Sequence, residues 1–158
     1  MNAFKIIVLL AALSAVLLSC ASAESGDTKT ENEMSVCGRI EIAVSAASGE
    51  RKMSAVLYDN SSSRALLERL SGGEITLAMD DYGGFEKVAD LGFSLPRNDT
   101  PTDTDAGDLI LYQGRNFVIY YDRNSWNFTP LGKIENVQKA ELKSILGSGH
   151  VRVTLSLK

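Results

Sequence analysis

The chain has 158 residues, of which 44% are hydrophobic and 23% charged, with 16 Lys and Arg against 20 Asp and Glu. That size suits one domain with its own core, and the composition is that of a folded protein rather than a disordered or collagen-like one. A formal charge of −4 argues against a nucleic-acid partner, because phosphate binding takes a basic face. One His and two Cys leave too few soft ligands for a zinc site.

The first stretch reads as an address. Lys5 is followed by an uncharged apolar run from Ile6 to Leu18. A basic residue, a short apolar core and small residues behind it describe a secretory signal peptide over 1–19. The run is too short for a bilayer, which takes about 20 apolar residues. Leu17-Leu18-Ser19-Cys20 resembles the bacterial lipobox, which implies cleavage before Cys20, its lipidation, and a protein anchored to the cell membrane or outer membrane, facing periplasm or exterior. Ala21-Ser22-Ala23 offers the rival reading, a cleavage site that releases a soluble chain beginning at Glu24. Under either reading Cys37 is the one thiol left, so no intrachain disulfide holds the fold. A lone cysteine of this kind is expected to act as a small buried hydrophobe.

Residues 20–35 are polar and aperiodic, the composition of a tether, and place the folded body over 36–158. Within it, 39–44 alternates polar and apolar, the period-2 signature of a half-buried strand, and 53–57 continues as the next after a turn at Ser48-Gly49. The period then changes. Asn60 stands ahead of 61–70, where Ala65, Leu66, Leu67 and Leu70 form a helical stripe that Gly72-Gly73 ends. Alternation returns over 74–79, and the segments 80–85 and 95–99 are rich in turn residues. Residues 108–112 and 116–121 flank Gln113-Gly114-Arg115 and predict a hairpin. A second helical stripe runs over 137–146 with Gly147 as its stop, and 150–157 closes the chain as a strand. Many short strands with two helices point to an antiparallel barrel or sandwich.

Several runs carry a resemblance. Leu57-Tyr58-Asp59-Asn60-Ser61 leads into the first helix. Asp81-Tyr82-Gly83-Gly84-Phe85-Glu86-Lys87, Leu91-Gly92-Phe93-Ser94-Leu95-Pro96 and Ala106-Gly107-Asp108-Leu109-Ile110-Leu111-Tyr112 follow, then Asn124-Ser125-Trp126 and Leu131-Gly132-Lys133-Ile134. Together they are similar to the bacterial cyclophilin-like domain family over nearly all of 36–158. The resemblance implies a mainly β fold, a closed eight-stranded antiparallel barrel with two capping helices. It does not carry a function, since one fold hosts many activities.

Two functional readings and a third class follow. Prolyl isomerisation needs an apolar slot for the ring and a donor aimed at the prolyl nitrogen, lowering a barrier of about 18–20 kcal/mol. True cyclophilins resemble one another in a Phe-His-Arg strand, a Gln-Gly-Gly-Asp turn and a pocket Trp. This chain departs from that pattern, because His150 is not followed by Arg and Tyr82-Gly83-Gly84-Phe85 lacks both Gln and Asp. A peptidyl-prolyl isomerase here would need a rearranged site, with Arg97 as donor and Phe85 and Trp126 as walls. The favoured reading is a non-catalytic module binding a peptide or small molecule, with Tyr82, Phe85 and Trp126 as aromatic faces and Arg97 as a carboxylate handle. The third class is a structural interaction domain. Catalytic residues, a metal site and a cofactor are not expected. Asp103, Asp105 and Asp108 crowd one loop but miss the glycine position and closing Glu of a calcium loop, and His150 has no nucleophile elbow to serve.

Overall fold

The computed structural model describes residues 34–47 and 49–158; the apolar leader, Cys20 with most of the expected tether, and Ser48 lie outside the described residues. The order is β1 (Val36–Ala46), β2 (Gly49–Tyr58), α1 (Ser61–Ser71), β3 (Ile75–Tyr82), β4 (Glu86–Asp90), β5 (Thr100–Thr104), β6 (Asp108–Tyr112), β7 (Asn116–Tyr120), β8 (Asn124–Ile134), α2 (Lys139–Leu146) and β9 (Val151–Leu157). Eight strands run β2-β1-β9-β3-β4-β7-β6-β8, and β8 pairs back to β2 from Ala55↔Ile134 to Leu57↔Gly132, which closes the ring. The fold is the closed antiparallel eight-stranded barrel with two helices that the resemblance implied. One extra strand is added: β5 pairs with the first half of β8, from Thr100↔Phe128 to Thr104↔Asn124.

The period-2 segments became strands because one face of each had a core to fill. Ile42 of β1 lies opposite Leu155 of β9, and Val44 opposite Val153; all four are completely buried. Each such side chain contributes about 1.5–3 kcal/mol by leaving water. Helix α1 begins where Asn60, in an extended conformation, accepts the Ser63 backbone N–H at 2.9 Å and donates its amide to the Pro130 carbonyl at 2.8 Å. The cap therefore starts the helix and ties it to β8 at once. Leu66 and Leu70 of α1, and Leu142, Ile145 and Leu146 of α2, enter the same core. Gly132 marks the seam: a Cβ there would meet the Val56 carbonyl oxygen at 2.0 Å, so only glycine lets β8 approach β2 this closely.

Three strands were not expected from the sequence: β4, β5 and β8. In β4 the inward positions are Lys87 and Ala89, so the interior face does not read as apolar. Lys87 is fully buried because its ammonium donates to Asp81 at 2.8 Å and to the Gly149 carbonyl at 2.7 Å. Tyr121 donates to the same Asp81 carboxylate at 2.6 Å, and with it the charge is paired and hydrogen-bonded as burial requires. β5 carries Pro101, which is tolerated on an edge strand. β8 is broken in pattern by Pro130 and Gly132, and the ladder between β6 and β8 shifts register between Leu109 and Ile110. Asp80, Asp81 and Tyr82, expected in a turn, instead extend β3, and the turn contracts to the three residues before β4.

Candidate functional site

The strand β7 holds the first sign of a site. Phe117 and Ile119 point into the barrel core, as period 2 requires, yet Val118 and Tyr120 on the opposite face are also buried. An antiparallel barrel in water normally shows a polar outer face. Here Ile110 of β6, Val118 and Tyr120 of β7 and Phe128 of β8 form a second apolar cluster outside the barrel, with Phe85, Val88 and Tyr112 packed against it.

This outer cluster is the floor of a groove of about 370 Å3, lined by Tyr82, Glu86 and Val88 on one side, Tyr112, Asn116, Val118 and Tyr120 beneath, and Asn124, Trp126 and Phe128 on the other. The first half of β8 supplies that last wall, held by its pairing with β5. The rings meet both edge-on and stacked. Tyr82 stands edge-on to Phe85 with centroids 6.1 Å apart and planes 88° apart, and Phe85 stacks on Tyr120 at 6.3 Å and 7°. Phe128 is tilted against Tyr120 at 5.6 Å and meets Tyr112 at 6.1 Å and 68°. Tyr82 and Trp126, 63% and 65% exposed, form the two rims.

The turn after β3 sets the Tyr82 side. Gly83 and Gly84 take φ values of 63° and 73°, a left-handed conformation that other residues rarely adopt. At Gly83 a Cβ would also lie 2.2 Å from the Phe85 ring. Two glycines thus let the chain reverse while Phe85 folds back beside Tyr82.

Polar groups enter the groove at one place. Glu86 is only 9% exposed, and the Tyr120 phenol lies beside its carboxylate. Asn124 in turn donates its amide to the Tyr120 oxygen at 3.3 Å. Burial pushes the Glu86 carboxyl above its ordinary value, and the neighbouring Tyr120 hydroxyl offsets part of that rise. The same burial, with Glu86 beside it, pushes the Tyr120 phenol far upward, so it keeps its proton as a donor.

Of the residues singled out in the sequence, Tyr82 and Trp126 line the groove and Phe85 supports it from behind. Arg97 is not among the lining residues. Its guanidinium is bound by Asp99, and a Cβ on Gly114 would lie 3.2 Å from its aliphatic stem. Asp99 also accepts from Thr129 at 2.6 Å, so Arg97 serves the loop ahead of β5. Sequence reasoning missed Glu86, Tyr112, Tyr120, Asn124 and Phe128. The signal available was the run Phe117-Val118-Ile119-Tyr120, apolar on both faces of an antiparallel strand.

Other noted residues have local partners. Cys37 donates its thiol to the Tyr58 carbonyl at 3.3 Å, and burial pushes that thiol up, which keeps it a weak nucleophile. His150 is exposed and pairs with Asp80. In the acidic loop Asp108 accepts from Lys133 at 2.7 Å, and Asp103 accepts from the Ser125 hydroxyl at 2.5 Å.

Known proteins agree with this architecture. The hypothetical protein AF2241 from Archaeoglobus fulgidus, known from a solution structure, aligns with 80% of this chain and 99% of its own at 16% identity, with a TM-score of 0.53. That likeness is one of fold. No curated protein matches the sequence. The family model of the Cyclophilin-like family matches residues 46–156, from the end of β1 to β9. The chain belongs to the cyclophilin-like family.

Proposed function

We propose that this protein is a non-catalytic binding module that takes a small molecule or a short peptide segment in the groove on the outer face of its barrel. One observation carries the reading: the barrel buries apolar side chains on its outside, beneath β4, β7, β6 and the first half of β8, where water contact would favour polar ones. Exposed aromatic rims around such a floor are what a ligand site needs, and a volume of about 370 Å3 falls within the range of ligand pockets. We extend the proposal to location: the leader and Cys20 mark a lipoprotein exported to the cell envelope, where the groove would meet its ligand.

A thermal-shift screen of the full chain tests the binding reading. A ligand present at about a hundred times its Kd stabilises by about 2.7 kcal/mol. The expected result is a hit whose stabilisation disappears in Trp126→Ala. Acceleration of proline-limited refolding by catalytic amounts of the protein would make it an isomerase instead. Uncatalysed exchange takes tens to hundreds of seconds, so even weak catalysis is visible.

A further inference from the structure

We propose that the groove takes the alkylammonium group of a small organic cation, seated against Glu86 and walled by the surrounding aromatic rings. The inference rests on the reading of the groove as a ligand site and names the chemistry that site selects. Three observations point there.

The first concerns pairing. Among the described residues Glu86 is the one buried carboxylate without a cationic partner. Asp59, Asp81, Asp90, Asp99, Asp108 and Asp122 each hold a Lys or Arg. The carboxylates without such a partner other than Glu86, for example Glu68 and Glu74, are exposed to water. Buried charges are as a rule paired, because an isolated carboxylate away from water is costly. A cation supplied by a ligand would give Glu86 the partner that those less buried aspartates already have.

The second is charge complementarity. The groove lining contains this one acid and no Lys, Arg or His. The third is the wall material. Tyr82, Tyr112, Tyr120, Trp126 and Phe128 line the same groove as the carboxylate, with rings in differing orientations. Ring faces attract cations through their quadrupole, and a desolvated site strengthens the attraction. An alkylated nitrogen needs no donor-by-donor match and can meet ring faces and aliphatic floor with its methyl groups while its charge faces Glu86. The floor of Val88, Val118 and Phe128 offers carbon to carbon.

Isothermal calorimetry of the full chain in a non-ionic detergent tests the proposal, with choline and its neutral carbon isostere 3,3-dimethylbutan-1-ol as probes. A prolyl tetrapeptide without charges and a peptide bearing trimethyl-lysine complete the panel. Choline is expected to bind at least about tenfold more tightly than the isostere, a difference of about 1.4 kcal/mol. Glu86→Gln should erase that preference and leave the isostere's affinity in place. Tyr82→Leu, at an exposed rim, should weaken choline by several-fold with the protein still folded, which guards against a misfolded Glu86 variant. Equal binding of choline and isostere, or binding of the prolyl peptide alone, overturns the cation and leaves the groove as a ligand site. Binding of the trimethyl-lysine peptide without choline overturns the small-molecule assignment. No binding by any probe at about 10 mM, well above the millimolar Kd expected of a weak site, overturns both the cation and the binding reading.

Discussion

Replacing Trp126 by alanine separates a groove wall from a core residue. A large aromatic removed from a packed interior costs about 3–5 kcal/mol. Trp126 keeps 65% of its surface in water, so only about a third of that loss applies, roughly 1–1.7 kcal/mol. Phe117, on β7 and completely buried, should cost the full amount when truncated. Urea unfolding followed by far-ultraviolet circular dichroism compares the two, since Trp126 is the only tryptophan and its fluorescence is lost with it. For a domain of this size, about 1 kcal/mol corresponds to a few degrees in Tm. Trp126→Ala should therefore remain folded at 37 °C while Phe117→Ala comes close to unfolding. A loss in Trp126→Ala as large as in Phe117→Ala would refute the argument, for it would make the tryptophan part of the core.

Three further outcomes follow from the geometry. Glu86 holds its proton more tightly folded than unfolded, so its contribution to stability grows as pH falls from the raised folded value toward 4.5 and is absent above that raised value. The groups facing it are the phenols of Tyr82, Tyr112 and Tyr120, with Tyr121 nearby; Tyr120 and Tyr121 are pushed upward by burial. Asp81 and Asp99, held low by Lys87 and Arg97, oppose it only at lower pH, as they protonate. The urea midpoint should thus rise on mild acidification before it falls, and Glu86→Gln should remove the rise; a rise that persists in the variant contradicts the assignment. Gly132→Ala should destabilise by about 3 kcal/mol, since the new methyl group meets the Val56 carbonyl at the barrel seam. Unchanged thermal stability of that variant would show that the seam opens freely. Arg97→Ala should leave ligand affinity unaltered and barely move the urea midpoint, because the side chain is exposed and tied to Asp99 outside the groove; a loss of binding would return Arg97 to the site.

The barrel was legible wherever one face of a strand met the core and the other met water. Ile40, Ile42 and Val44, or Val151, Val153 and Leu155, satisfy that condition and announce themselves by alternation. The helices were equally plain, since Leu66 and Leu70 have glycines behind them and Asn60 in front. β4 was hidden because its inward residue is a lysine whose partner lies on β3, a pairing that sequence spacing does not reveal. β8 was hidden because it serves two masters, with a polar half on β5 and a half interrupted by Pro130 and Gly132 on β6 and β2.

The site followed the same logic. Tyr82, Phe85 and Trp126 drew notice because they stand beside turns, and the groove uses them. Arg97 drew notice for the same reason and belongs elsewhere, since Asp99 two residues on captures it. Glu86 sits in a charged run with Lys87, where only the alternation of a strand sends one inward and the other into the groove. Tyr120 and Phe128 look like core residues in the sequence, and in physical terms they are: they form a core that happens to lie outside the barrel.

The most direct test of the central claim, that the outer face of β4, β7, β6 and β8 is the ligand site, is a residue-resolved titration by amide NMR with choline and, separately, a prolyl peptide. The account predicts that perturbed amides cluster at Val88, Val118, Tyr120, Asn124 and Phe128, the strands that floor and wall the groove. Perturbations gathered around Arg97 and Asp99 or on the opposite side of the barrel, or saturation of the titration with no shifts at all, would contradict it.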